Sequence, residues 1–420
     1  MSGNVREIEV CADWAGLGGP ERLGTLFAQQ ARGREVFSFE YARSWLLGNE
    51  PRLLDPELRL FGGPQYAARE KPNFGLFLDS SPDRWGRMLM QRRESIRARK
   101  GNRIPRALSE SDYLLGVYDE NRMGALRFRE SGDAEFQSAD QSMTAPPWTS
   151  LRDLEYASYL VEHEENDENL DKWLALLMAP GSSLGGARPK ASVLFPDGSL
   201  WMAKFPGKDD DRNIGAWEML TARLACEAGI EMSDCRLEAV SHRGSTFLTR
   251  RFDRSPKRER VHFASAMTML GRSDGADATI GASYLEIADF LIRHGSQPQK
   301  DLRQLWKRIL FNIAVSNTDD HLRNHGFLLE SQGWRLSPAY DMNPSPFAGG
   351  LSLAIDESDN SLDFELALSV AEYFRLSLGE AREAMSEVLV AVSRWRKSAE
   401  DLGIPQSERD RMAQAFRTAP

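Results

Sequence analysis

Cysteine is scarce: Cys11, Cys226 and Cys235 are the only three in 420 residues. An odd number with no Cys-x-x-Cys pair supports neither a disulfide framework nor a cysteine-rich zinc site. Cys226 and Cys235 are expected to pack in or near a core. No run of about 18 uncharged apolar residues occurs, and the opening Met-Ser-Gly-Asn-Val-Arg-Glu lacks the apolar stretch of a secretory signal. The expectation is a soluble, cytoplasmic protein with no membrane partner. Positive charge is also in deficit, with 53 Lys and Arg against 62 Asp and Glu and a formal charge of -9. That balance disfavours a broad basic face for nucleic acid, although a local patch is compatible with it. No internal repeat is visible.

The chain does have enough apolar material for a large core. Hydrophobic residues make up 41%, and at roughly 150 residues per domain the length suggests two or three domains. The first hundred residues mix short β-like runs with amphipathic stretches. Arg92, Arg93, Arg97, Arg99, Lys100, Arg103 and Arg106 then form a basic cluster, readable as a boundary, a docking surface or a solvated helix and loop. A polar, proline-containing stretch over 130–147 reads as a long exposed loop. In 191–205, β-formers flank Pro-Asp-Gly, which predicts a β-hairpin. Residues 213–229 read as a helix and 246–253 as a strand. In 301–316, Leu302, Leu305, Trp306, Ile309, Leu310 and Ile313 recur at helical spacing, with Arg303, Lys307 and Arg308 off the stripe. Helices are expected over 364–376 and 379–399. A β-rich half carrying one helix and an α-rich half together suggest two lobes with a cleft.

The densest polar cluster is Ser316-Asn317-Thr318-Asp319-Asp320-His321-Leu322-Arg323-Asn324-His325, between an apolar helix and the strand-like Gly326-Phe327-Leu328-Leu329. Asp319 precedes Asn324 by five residues, the spacing at which a kinase catalytic loop places its base and its magnesium-binding amide. A hairpin then returns the chain to Asp341, a second hard oxygen ligand for a metal that bridges nucleotide phosphates. Upstream, Gly181-Ser182-Ser183-Leu184-Gly185-Gly186-Ala187-Arg188-Pro189-Lys190 could cradle phosphates with backbone N–H groups. It is not a P-loop, since no Gly-Lys-Ser/Thr follows. Lys204 stands where kinases keep the lysine that pairs with phosphates, and Glu218 lies on the next helix. His321 and His325 at i, i+4 could be a zinc pair on a helix, but no His-Glu-x-x-His pattern accompanies them.

In order and content these motifs resemble the HipA family of serine/threonine kinases, the toxins of bacterial toxin–antitoxin pairs. The matching stretches are 181–190, Asn-Thr-Asp-Asp-His-Leu-Arg-Asn at 317–324 and Ser-Pro-Ala-Tyr-Asp at 337–341. Phe39-Glu40-Tyr41-Ala42-Arg43-Ser44-Trp45-Leu46 and Ser80-Ser81-Pro82-Asp83-Arg84-Trp85-Gly86 are similar to that family's small N-terminal subdomain. The resemblance implies an α+β, bilobed, protein-kinase-like fold with a β-rich N-terminal lobe and an all-α C-terminal lobe. Its segments would be an N-terminal subdomain over 1–105, a nucleotide-binding lobe over 106–268 and a helical lobe with the catalytic loop over 269–420. It further implies ATP and Mg2+ as cofactors, Asp319 as general base and Asn324 and Asp341 as metal ligands. Gly185, Gly186, Ala187, Arg188, Lys190, Lys204 and His321 would hold the nucleotide, with residues from His262 to Met267 near the adenine. Ser183, or next to it Ser182, would be autophosphorylated, and Arg188-Pro189 is a departure that bears on the loop's mobility. The implied partners are a HipB-like helix-turn-helix antitoxin, operator DNA mainly through that antitoxin, and a protein substrate, of the aminoacyl-tRNA synthetase class by analogy. A small-molecule kinase and a catalytically degenerate corepressor remain the alternatives.

Overall fold

Alternation in Val-Arg-Glu-Ile-Glu-Val-Cys-Ala puts Ile8, Val10 and Ala12 on one face of strand β1 (Val5–Ala12), and all three are fully buried. The computed structural model describes residues 5–31, 33–48, 52–137, 145–163, 173–174, 177, 186, 188–347 and 349–419. Packing divides the chain into a first unit, residues 1–208 with 253–264, and a second, 209–252 with 265–420.

In the first unit β1 lies within a five-stranded sheet with β2 (Glu21–Ala31), β3 (Arg34–Tyr41), β4 (Gln65–Tyr66) and β5 (Leu126–Glu130), in the order β4-β3-β2-β1-β5. The register sets Ile8 opposite Leu26 and Leu26 opposite Phe39, and it slips between Val10 and Cys11 at an irregularity. Gly24 has no alternative, because a Cβ there would stand 2.3 Å from the Glu40 carbonyl oxygen. Phe39, Phe77 and Phe128 pack ring to ring, the first two at 5.4 Å and the last two at 6.0 Å. Arg122, fully buried, holds the loops over this sheet by donating to the carbonyls of Ser80, Leu114 and Val117.

The helix Arg84–Lys100 begins at Asp83, whose side chain accepts from Gly86 N–H. Two members of the basic cluster, Arg103 and Arg106, are neutralised locally. Arg103 chelates Glu94, Arg106 chelates Asp112, and Arg92 donates to the Val161 carbonyl. These pairs make the solvated-helix reading sufficient for those positions. The expected hairpin forms from β6 (Lys190–Leu194) and β7 (Leu200–Lys204), with Lys190 opposite Lys204. Its turn is closed by Asp197, which accepts from Ser199 N–H, and by Gly198 at φ +79. The stretch read as β-rich with one helix also contains Glu110–Leu115 and Leu151–Glu162, so helices are more numerous there than the sequence suggested. Of the stretch read as an exposed loop, 138–144 lie outside the described residues.

The second unit starts with the helix Ile214–Glu227, capped by Asn213, and a hairpin of β8 (Cys235–Glu238) and β9 (Thr246–Arg250). Then come the helices Tyr284–His294, opened by a Ser283/Glu286 capping box, and Pro298–Val315. The latter is packed almost all round, because Lys307 and Arg308, placed off the stripe by periodicity, are buried as well. Lys307 donates to the Ala228 carbonyl and pairs with Glu387, while Arg308 donates to the Ser337 carbonyl. The helix expected over 364–376 ends at Ser369 and continues as a 3-10 turn, Ala371–Phe374. The one expected over 379–399 is two, Leu378–Val392 and Trp395–Asp401. The break lets Trp395 stack on Phe416 at 4.2 Å. Cys226 is exposed, correcting the expectation that it packs in or near a core, and Cys235 is half-buried. Among the described residues no helix is long and apolar enough to cross a membrane.

Candidate active site

The helix Pro298–Val315 stops at Ser316, which adopts the left-handed conformation at φ 52 and returns its N–H to the last helical turn. Asn317 then folds back: its N–H reaches the Asn312 carbonyl at 2.9 Å and its amide the Asn312 side chain at 3.0 Å. The rest of the loop is built around Asp320. Its Oδ2 accepts from Tyr284 Oη at 2.6 Å and Asn312 Nδ2 at 2.7 Å, and it lies 2.8 Å from His325 Nε2. Burial alone would raise this carboxyl, but the adjoining His325 and the Tyr284 hydroxyl outweigh it and hold Asp320 below its usual value.

Asp319, the residue before, faces the other way and is exposed. Its carboxyl is pushed upward by partial desolvation first. His321 opposes that shift, and the negative charges of Asp341 and Asp320 add to it. Asn324 sits in the 3-10 turn Leu322–Asn324 and donates Nδ2 to the Asp319 carbonyl at 2.9 Å. That bond orients the amide, and its Oδ1, although buried, meets no donor among the described residues.

The hairpin Gly326–Glu330/Gly333–Leu336 brings the chain back, as the spacing implied. Three bonds dock the returning segment on the loop: Tyr340 Oη to the Arg323 carbonyl at 2.7 Å, Asn343 N–H to Asn317 Oδ1 at 3.3 Å, and Ser345 N–H to the Ser316 carbonyl at 3.1 Å. Asp341 lies between them in the left-handed region, φ 57, where a non-glycine residue is held only by its surroundings. Asn343 donates Nδ2 to Asp341 Oδ1 at 3.2 Å, and its own Oδ1 is a second buried acceptor with no donor among the described residues.

The second unit thus brings Asp319, Asn324 and Asp341 together, with His321 half-buried beside them. Carboxylate and amide oxygens, one of them a buried acceptor lacking a donor, form a hard donor set that fits magnesium. No group of three or more His, Cys, Asp or Glu able to hold a metal occurs among the described residues. The zinc alternative loses its geometric basis, since the segment between His321 and His325 is a 3-10 turn and not an α-helix, and His325 Nε2 is engaged with Asp320.

In the first unit, Lys204 ends β7, largely buried, and Arg188 is half-buried. Lys190 Nζ makes a buried ion pair with Asp83 Oδ2 at 2.6 Å. Gly185, Ala187, Ser182 and Ser183 lie outside the described residues. The stretch from His262 to Met267 is buried throughout, with Phe263–Ser265 forming a strand. Sequence reasoning missed Asp320, Asn312, Tyr284 and Asn343. The Asn-x4-Asn of Asn312 and Asn317 at the end of an apolar helix was the available signal, and nothing marked Tyr284.

Comparison with solved structures gives the fold first. The chain is similar to HipA in the Shewanella oneidensis complex of HipA, HipB and operator DNA from a toxin–antitoxin system. The TM-score is 0.66 at 17% identity, over 97% of this chain and 94% of that one. The α+β, kinase-like HipA fold expected from the motifs is therefore the one present. Residues 182–413, more than half of the chain, match the HipA-like C-terminal domain family, and the protein belongs to that family. A Haemophilus influenzae protein named "Putative kinase" is 26% identical over 186 residues, 40% of this chain and 54% of the relative. The "Putative kinase Y4mE" of Sinorhizobium fredii is 27% identical over 183 residues, 38% of this chain and 41% of the relative. The chain spans about half the length of the curated relatives it matches.

Proposed function

We propose that the protein is an ATP- and Mg2+-dependent serine/threonine protein kinase, the toxin of a bacterial toxin–antitoxin pair acting in the cytoplasm. The observation that carries this reading is the opposed setting of two adjacent carboxylates. Asp320 is buried in a three-partner network, so that Asp319 is presented to solvent beside the oriented Asn324 amide and the docked Asp341. Asp319 accepts the proton of the substrate hydroxyl as its oxygen attacks the γ-phosphorus and the bond from that phosphorus to the β,γ-bridging oxygen breaks, ADP leaving with the electron pair; its upward shift strengthens it as a proton acceptor. Asn324 and Asp341 hold the magnesium ion, which when bound neutralises charge on the phosphates. His321 lies against the nucleotide, while Lys204, Arg188 and the backbone around Gly186 bind its phosphates.

The segments 1–105, 106–268 and 269–420 serve as accessory subdomain, nucleotide lobe and catalytic lobe. Ser183 or Ser182 is the autophosphorylation site; a dianion there competes with ATP for the same amides. The presence of HipB and operator DNA in the Shewanella oneidensis complex supports a HipB-like partner for this chain. The net charge of -9 fits DNA contact made mainly through that partner. The protein substrate is of the aminoacyl-tRNA synthetase class by analogy.

The test is transfer of label from γ-labelled ATP to the protein itself or to cytosolic proteins. Asp319→Ala should lose about 10²–10⁴-fold in rate, the usual contribution of a positioned base, while keeping the parent's circular dichroism. Equal rates for variant and parent would remove Asp319 from its role.

A further inference from the structure

Lys190, the last residue of the glycine-rich stretch, is gripped by a residue 107 positions upstream. We propose that Asp83 is a positioning residue for the nucleotide site, acting through Lys190; this rests on the reading of residues around 186–190 as the phosphate cradle.

Asp83 divides its carboxylate between two tasks. Oδ1 accepts from Gly86 N–H at 2.9 Å and starts the helix Arg84–Lys100, while Oδ2 takes the Lys190 ammonium at 2.6 Å. That ammonium also donates to the Gly186 carbonyl at 3.3 Å, so the lysine side chain links residues 186 and 190. The lysine is held at its other end too, because Trp85 Nε1 donates to the Lys190 carbonyl at 3.0 Å. Asp83 and Trp85, two residues apart at one helix start, thus clamp both the side chain and the backbone of Lys190.

Electrostatics explains why the clamp is needed. Lys190 and Lys204 face each other on paired strands and are both buried, a like-charge juxtaposition that is destabilising without a counter-ion. Asp83, with 3% of its side chain exposed, is the counter-ion at Lys190. Drawing the ammonium away toward a phosphate would break a buried ion pair. Lys190 therefore holds the Gly186 carbonyl, and the charge that meets phosphate belongs to Lys204 and Arg188. The N-terminal helix becomes a working part of the nucleotide site, since the carbonyl of Gly186 takes its position from that helix through one side chain.

Asp83→Ser tests this, because serine still caps the helix but cannot pair with an ammonium. Three readouts apply: affinity for Mg-bound AMP-PNP by calorimetry, kcat and KM for ATP, and amide hydrogen exchange over residues 186–194. A lost positioning contact of this kind should weaken nucleotide affinity about tenfold with kcat held within about threefold, and it should speed exchange in that segment. Adding Lys190→Met to Asp83→Ser should cost nothing further, as expected for two residues acting through one contact. A further loss of about tenfold in the double variant would make Lys190 a direct phosphate ligand and overturn the proposal. Unchanged exchange in Asp83→Ser would overturn it equally. If the parent binds no nucleotide, the kinase reading fails while the exchange comparison still decides the clamp. Should Asp83→Ser not fold, Trp85→Phe removes only the tether to the Lys190 carbonyl, and unchanged exchange over 186–194 would then refute the clamp.

Discussion

His262 should make the first unit sensitive to mild acid. Its ring is 1% exposed, with the Trp14 ring 5.4 Å away, and burial pushes its pKa from 6.5 down to about 3. A histidine held neutral in the folded state but free to protonate when unfolded contributes stability that is complete above pH 6.5. That contribution is lost progressively as the pH falls toward 3. At 1.36 kcal/mol for each tenfold change, the full loss is about 5 kcal/mol, and lowering the pH from 7 to 5 removes about 2 kcal/mol. Such a loss is a large share of the 5–15 kcal/mol typical of a folded domain. The assay is urea unfolding at pH 7 and pH 5, followed by tryptophan fluorescence, for the parent and His262→Gln. Glutamine keeps a polar group in the site but takes up no proton. The variant's absolute stability is immaterial; the parent should lose about 2 kcal/mol more than the variant between the two pH values. Parallel losses would show that His262 is solvated or already charged in the folded protein, and would refute the role given to burial.

Asp320→Ala strips the partner from three buried groups and should cost about 3–5 kcal/mol, read as a fall in thermal midpoint; a shift within error would mean that the network is not structural. Asn324→Ala should weaken Mn2+ binding about 10–100-fold in the presence of an ATP analogue, measured by electron paramagnetic resonance. Unaltered Mn2+ affinity would remove Asn324 from the metal site. Ile313→Ala, at a fully buried position of the helix before the loop, should destabilise by about 2–5 kcal/mol in urea titration. A cost below about 0.5 kcal/mol, typical of surface positions, would contradict that burial.

Local signals were legible where the physics is local. The β6–β7 hairpin was readable because a compact turn separates two runs of β-formers, and the helix Pro298–Val315 because its apolar stripe repeats along its length. Asp319, Asn324 and Asp341 were legible as a set because one loop and one hairpin join them. What could not be read depends on contacts between distant positions. Tyr284 reaches Asp320 across 36 residues and Asp83 reaches Lys190 across 107, and neither pairing leaves a periodic trace. Adjacent identical residues posed a related difficulty: nothing in Asp319-Asp320 says which carboxylate turns inward. The answer lies in Asn312 and His325, which surround only the second. The burial of Lys307 and Arg308 was hidden because charged residues off a stripe are read as solvated. The break before Trp395 was hidden because its cause, stacking on Phe416, lies 21 positions away.

The Asp320 hub ties the helix Tyr284–His294, the helix Pro298–Val315 and the start of the adjoining hairpin to a single oxygen atom. A loop fastened at that point keeps its curvature whether or not anything is bound. Ligand arrival therefore freezes few backbone torsions here, and the entropic toll of binding falls on the solvent-facing groups alone. Evolution can then alter what this rim recognises by changing exposed neighbours, without disturbing the knot beneath.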